Sequence, residues 1–420
     1  MMKMSIKKNK EYNLLSVIAI ALFLFSSTCF WEETKLKLLM ISGSVIVIIT
    51  IWTILKNRVT PNMIVNCKTI QWLIINFCLF EIYGLFFLRI GTFNWDFVGF
   101  NGVLLICICI LCMVTRSSEQ IEKEYLHACK IGFIAIAVYI YFNNIIDLKS
   151  IRFGSRLGNE LSGNVNTAAT CFGIMFIPIM YSIFVKKYRG LLNYFVVVIA
   201  LICMLLTGSK KGLIIIILSV IMIYFIYKNP IKYFIIPFIM IGGIYAVFNI
   251  PVLYNIIGFR VIDMFATFGI GNAVTKAQST AVRSEYIMIG LKSFFNHPIF
   301  GGGMNYFQYI NNIVHYSHNN YVELLNDFGL IGLMIHYFYS LKTIRFFFKN
   351  KNHVSREKRT MYILCITMIT VKMLLDIAMV SFTALGIYYL PFIIPFMIMG
   401  KEKFYLSNMK YRNLIKERQT

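Results

Sequence analysis

The sequence predicts an all-α polytopic membrane bundle of about 12 transmembrane helices, with a long extracytoplasmic loop that carries short helices. Three observations lead there. Apolar residues make up 58% of the chain and charged residues only 14%, against about 25% charged in ordinary globular domains. A soluble core of this size has no room for that much apolar surface. The apolar residues also come in runs close to the roughly 20 that cross a hydrocarbon core. Finally, the cations bordering those runs alternate in abundance from one side to the other.

Taken in order, the apolar segments lie at 14–31, 36–55, 70–88, 98–115, 128–146, 164–185, 191–206, 213–227, 231–248, 321–341, 361–380 and 384–399. With the Lys-rich start (Lys3, Lys7, Lys8, Lys10) inside, the inner segments hold 28 Lys and Arg and the outer ones 12, counting span-end cations with the nearer side. Lys372 falls within a span, and the inner excess concentrates at 342–359 and 401–418. This is the positive-inside pattern, and it places both termini in the cytoplasm. It also accounts for the net charge of +23 without nucleic acid, because the charge follows topology instead of forming one basic face. The first apolar run follows a basic stretch, as in a signal peptide, but lacks a small-residue cleavage site; it is expected to stay as the first span.

Short loops between most segments predict a single membrane domain over 1–420. The ten cysteines avoid the long outer loops and imply no disulfide framework. Cys107, Cys109 and Cys112 sit in an apolar helix without other ligands, where packing is the expected role. Two outer segments are long, 147–163 and 249–320. In the second, Ile287, Leu291 and Phe295 recur at helical spacing and predict a helix over 282–296, stopped by Pro298 and the glycines 301, 302 and 303. A long loop so rich in Ile, Phe and Tyr is expected to be ordered and functional. No internal repeat of the kind common in secondary transporters is visible.

Four outward stretches carry polar chemistry, and the topology puts all of them on one side. RFGSRLGNELSGNVN supplies Arg152, Arg156, Asn164 and Asn166; TGSKKG supplies Ser209, Lys210 and Lys211. VRSEYIMIGLKSFFNHPIFGGGMNYF supplies Arg283, Glu285, Lys292 and His297, and HYSHNNYVELLNDFGLIG supplies His315, His318, Asn319, Glu323 and Asp327. Cations on the outer face run against the positive-inside trend, and a membrane-anchored anion such as a lipid diphosphate explains them. Arg grips phosphate through a planar fork and Lys as a point charge; the bland alternative is snorkelling to headgroups. His318 stands just before a helix start, with Asn320 as the expected N-cap and Glu323 three residues on, where the positive helix end favours an anion. A neutral imidazole there suits a general base, and the alternative is a purely structural histidine. His315 and His318 lack a third metal ligand at convincing spacing. Lys372 and Asp376, four apart, are expected to neutralise each other; they and Glu81 are left outside the site.

These stretches, over 150–340, resemble the O-antigen polymerase and ligase family of bacterial envelope glycosyltransferases. RSEYIMIGLKSFFNHPIFGGGMNYF followed by SHNNYVELLNDFGLIGL resembles the family's signature loop and following helix. TGSKKGLI is similar to its cationic turn, and RLGNELSGNVNTAA to the start of a span. The resemblance implies His318 as general base and Arg283 as the arginine holding a donor diphosphate. Lys210 stands where many members carry arginine, keeping the charge without the fork, so Lys211 is expected to share its role. Arg156, Asn166 and Asn319 complete the implied substrate-binding set. The implied reaction is an inverting transfer at the extracytoplasmic face of the bacterial plasma membrane, with no metal, nucleotide or other cofactor. Its substrate is a polyprenyl-diphosphate-linked oligosaccharide in the lipid bilayer, and its pathway partners are a chain-length regulator and a flippase. Polymerisation of repeat units into surface polysaccharide is preferred; ligation to another acceptor or lipid-linked oligosaccharide transport are the alternatives.

Overall fold

The computed structural model describes residues 14–29, 68–89, 121–143, 165–185, 190–226, 230–267, 270, 272, 278–380, 395, 398 and 399. Among the described residues the chain is all-α, without a strand; Leu88 and Met304 form an isolated parallel bridge. The helices are α1 (Leu14–Cys29), α2 (Lys68–Phe77), α3 (Tyr83–Phe86), α4 (Ile121–Asn143), α5 (Val165–Phe184), α6 (Leu191–Leu206), α7 (Lys210–Ile226), α8 (Pro230–Asn249), α9 (Phe259–Thr267), α10 (Gln278–Phe294), α11 (Tyr306–Asn311), α12 (Asn320–Asn350) and α13 (Arg356–Leu375). A π turn, Cys78–Ile82, joins α2 to α3.

The helices follow the apolar runs. Leu-, Ile- and Phe-rich stretches favour burial over any competing turn, and polar side chains cap the starts of α12 and α13. At α13, Ser355 accepts from the Lys358 N–H at 3.4 Å, so one orphan donor of the first turn is satisfied. Helix α5 is the hub, packed by α4, α6, α7 and α13. Its Phe172, Phe176 and Tyr181 are fully buried with Phe133 of α4 and Tyr362 of α13. Gly173 lets α7 come close, since a Cβ there would stand 2.4 Å from the Ile215 Cδ1. Helix α1 packs against α4 at Gly132.

Arg356–Ala378 is long and apolar enough to cross a membrane, and Ile241–Asn249 with Pro251–Asp263 form a second candidate bent by 84°. Several of the other apolar runs are met by shorter helices: α1 and α6 have 16 residues and α7 has 17. The run expected at 321–341 lies in α12, which is broken at Gly329 (φ 64°, ψ −163°). The runs at 36–55 and 98–115, and most of 384–399, lie outside the described residues.

The break in α12 has a clear physical origin. In a continuous helix the Leu330 and Ile331 amides would bond the Asn326 and Asp327 carbonyls. Instead, the Asn326 carbonyl accepts from Gly302 N–H at 2.8 Å and the Asp327 carbonyl from Gly303 N–H at 3.1 Å. The freed amides of Leu330 and Ile331 donate to the carbonyls of Pro298 at 2.9 Å and Ile299 at 3.2 Å. Two intrahelical bonds are exchanged for four across the chain, so every broken end is satisfied. The approach is so close that only glycine fits: a Cβ on Gly301 would meet the Asp327 carbonyl at 2.3 Å, and one on Gly329 the Ile299 carbonyl at 2.3 Å. The glycine run and the NDFGLIG stretch are thus two halves of one interlock.

Candidate functional site

Helix α10 spans Gln278–Phe294, enclosing all but the end of the expected 282–296, and lies on α12. Gly290 removes the side chain that would otherwise strike Val322, whose Cγ1 would be 2.2 Å from a Cβ. Beside it, Ser293 Oγ donates to Asn326 Oδ1 at 2.6 Å, and Asn326 Nδ2 donates to the Gly290 carbonyl at 2.9 Å. This buried lock fixes α10 against α12, and Arg283 lies half-buried near the start of α10. Asp327 extends the assembly: its Oδ1 accepts from the Tyr306 N–H at 3.0 Å and caps α11 from another helix.

The start of α12 departs from the sequence expectation by one residue. The N-cap is Asn319, not Asn320; its side chain accepts from Tyr321 N–H at 3.0 Å and Val322 N–H at 3.2 Å. Glu323 does not close a box onto the cap. Its carboxylate receives the Ser317 N–H, while Ser317 Oγ donates to the Asn319 carbonyl at 3.1 Å. The reason is His318, which has a positive φ of 57°. That left-handed residue turns the chain so the cap and the Glu323 latch fall on either side of it. The buried Asn320 instead donates to the Tyr337 hydroxyl at 2.8 Å.

His318 is therefore not the cap. Among the described residues its ring makes no hydrogen bond and rests against Tyr316, with ring centroids 4.4 Å apart. Burial pushes its pKa down to about 4, helped by Arg283, then His315, then Lys211. The imidazole is neutral at physiological pH.

The TGSKKG turn brings the third element. Gly208 takes φ 58°, and a Cβ there would stand 2.7 Å from the Ile256 carbonyl. Ser209 donates to Asn166 Oδ1 at 2.9 Å, tying this turn to the start of α5. Asn166 thus braces the turn that presents the lysines. Lys211 stands in the first turn of α7, ahead of the apolar run, with its pKa pushed down to about 7 by burial and then by Arg283; Asp376 pulls the other way. Of the two lysines, Lys211 is the one whose charge acts on His318. Arg283 and Lys211 make no ion pair or hydrogen bond with any described residue.

Arg283, Lys211 and His318, from α10, the first turn of α7 and the approach to α12, come close enough for both cations to act on the imidazole, while Asn319 serves the cap and Arg156 lies outside the described residues. His297 sits edge-on to Tyr306, exposed. Among the described residues no three His, Cys, Asp or Glu side chains are grouped to hold a metal.

Sequence reasoning set Lys372 and Asp376 aside as a self-neutralising pair. They do pair, at 2.9 Å and buried. Asp376 Oδ2 also accepts from the Tyr337 hydroxyl at 2.8 Å, and its charge reaches Lys211. The network Asp376–Tyr337–Asn320 therefore links the wall of the site to the first turn of α12. Spacing within one helix displayed the pair; nothing in it displayed the neighbour.

The family model described as O-antigen ligase matches residues 195–337, from within α6 to the middle of α12, enclosing Lys210, Lys211, Arg283 and His318. That match supports membership of the O-antigen polymerase and ligase family. A comparison with curated proteins finds no match. Members of that family are membrane-embedded, and the match indicates, broadly, a glycosyltransferase-like enzyme of polysaccharide biosynthesis with a lipid-linked oligosaccharide as substrate class.

Proposed function

We propose that the chain is a polysaccharide polymerase, lengthening a polyprenyl-diphosphate-linked glycan by whole repeat units at the extracytoplasmic face of the plasma membrane. In this reading the apolar runs form about 12 spans, both termini are cytoplasmic, and 249–320 is an outer loop within one membrane domain. A chain-length regulator and a flippase act in the same pathway.

The observation that carries the proposal is the convergence of Arg283 and Lys211, unpaired with any described carboxylate, on a neutral His318. Two cations that make no ion pair with a described carboxylate, near the positive end of α12, suit a dianionic leaving group. The acceptor hydroxyl oxygen attacks the anomeric carbon from the face opposite the diphosphate. Its proton passes to His318 as the new glycosidic bond forms, and the anomeric carbon–oxygen bond to diphosphate breaks with inversion. The electron pair leaves with polyprenyl diphosphate, where Arg283 and Lys211 meet the growing charge. Burial and then Arg283, His315 and Lys211 hold His318 low; a bound diphosphate offsets the two cations and so makes the imidazole a better base. Afterwards the imidazolium releases its proton to water.

The test is chemical analysis of lipid-linked glycans in cells lacking the protein. A polymerase leaves single lipid-linked repeats, whereas long lipid-linked chains would indicate the ligase reading. Purified protein that moves labelled repeats across a bilayer without making new bonds would indicate transport.

A further inference from the structure

The stretch just before His318 is held in place although much of it faces outward. Asn312 has a positive φ of 50° and ends α11, and the Ile313 N–H donates to the Gln308 carbonyl at 3.1 Å. At the other end, Ser317 is fixed by the Glu323 carboxylate and by Asn319. Between these two anchors Tyr316 is 41% exposed, with its ring against the His318 imidazole. Keeping a large aromatic ring partly in water leaves apolar area uncovered, and here that area borders the one imidazole facing the two cations.

We propose that Tyr316 is the platform for the acceptor sugar: its ring takes the C–H face of the pyranose whose hydroxyl His318 deprotonates. This rests on the glycosyl-transfer reading and adds to it the residue that receives the acceptor. A pyranose has an apolar C–H face and an equatorial rim of hydroxyls. The flat ring offers matching apolar area with two side-chain torsions to fix, and the rim of a sugar lying on it reaches the adjacent imidazole. In this assignment the cations serve the donor and the aromatic ring the acceptor, and His318 is in contact with the ring and under the influence of both cations. Charge recognises the diphosphate and shape the sugar, so one histidine serves both without either ligand occupying the other's place.

The probe is the free repeat-unit oligosaccharide, released from the lipid-linked pool by mild acid, which keeps its acceptor end and lacks the diphosphate. Saturation-transfer NMR with the purified full chain in lipid nanodiscs measures its binding to wild type and to Tyr316→Phe, Tyr316→Leu and Tyr316→Ala. The expected result is near-wild-type binding for Phe and about tenfold weaker binding for both Leu and Ala. The KM for acceptor should rise in parallel and the KM for donor stay constant. Leucine matching phenylalanine would show that the ring merely covers His318 and would overturn the proposal, as would absence of oligosaccharide binding by the wild type. If the oligosaccharide binds with the expected ranking but lipid-linked repeats are not lengthened, the platform stands and the polymerase reading fails.

Discussion

The bundle around α5 and the assembly of α10, α11 and α12 are built on different rules. In the bundle, Phe172, Phe176 and Ile177 of α5 are fully buried with apolar neighbours, and few backbone groups leave regular geometry. In the assembly, backbone amides and carbonyls of separate segments pair directly, and conformations that L-residues avoid accumulate. Among the described residues, positive φ occurs at Gly208, Gly301, Gly303, Asn305, Asn312, His318 and Gly329. All of these lie in the assembly or in the turn that presents Lys211. Strain of about 1–3 kcal/mol at each such residue persists only where the surroundings over-determine it, and it gathers at functional sites. A bundle that only packs has no need of it, whereas a loop aiming an imidazole and two cations at one point does.

The largest effect that separates the two regions should come from the converging side chains. His318→Ala is expected to lower polymer formation about 10²–10⁴-fold and Arg283→Ala about 10²–10³-fold, with protein abundance unchanged. Tyr181→Phe in the bundle removes hydrogen bonds to Glu122 at 3.1 Å and Thr360 at 3.0 Å. It should lower stability by about 1 kcal/mol and leave turnover per folded molecule intact. Polymer yield in membranes, normalised to immunodetected protein, checks both, and near-normal yield from the His318 variant would remove it as the base.

Next comes the interlock. Gly329→Ala places a methyl against the Ile299 carbonyl and forces alanine to a φ of 64°, at a cost of about 3 kcal/mol. Gly242→Ala in α8, with nothing within 4 Å of the added Cβ, should be neutral or stabilise by about 1 kcal/mol through helix propensity. The two variants, compared by thermal unfolding in detergent, should shift in opposite directions. Equal tolerance would mean the broken helix is not held by the Pro298 segment.

The smallest effect concerns pH. Lys211, pushed down to about 7, loses its charge as pH rises through that value, so donor binding should weaken on the alkaline side. The KM for the lipid-linked donor is expected to rise by up to about tenfold per pH unit above 7. Lys211→Arg, which stays protonated, should flatten that rise. A wild-type KM constant from neutral to alkaline pH would exclude Lys211 from the diphosphate.

Much of the assembly was legible as segments. The periodicity of Ile287 and Leu291 marked α10, and Pro298 with the glycine run marked the turn beyond its end at Phe294, because helical spacing and glycine turns are local properties of the chain. Lys211, Arg283 and His318 were singled out as one candidate site by resemblance to a family. Their grouping did not follow from spacing, since 107 residues separate Lys211 from His318. The N-cap was misplaced by one residue because a left-handed histidine gives no sequence signal. Asp376 was set aside because its partner Lys372 is visible in sequence, whereas its approach to Lys211 is made by α7 packing on α13.

By itself, the sequence determined the helical class, the apolar runs and the residue types available to meet an anion, since composition and periodicity act through each residue's own contact with solvent. Only the tertiary structure decided which cation faces the histidine, where α12 breaks and which tyrosine stands beside the imidazole. Those outcomes depend on hydrogen bonds and close approaches between segments far apart in the chain. No local pattern records them.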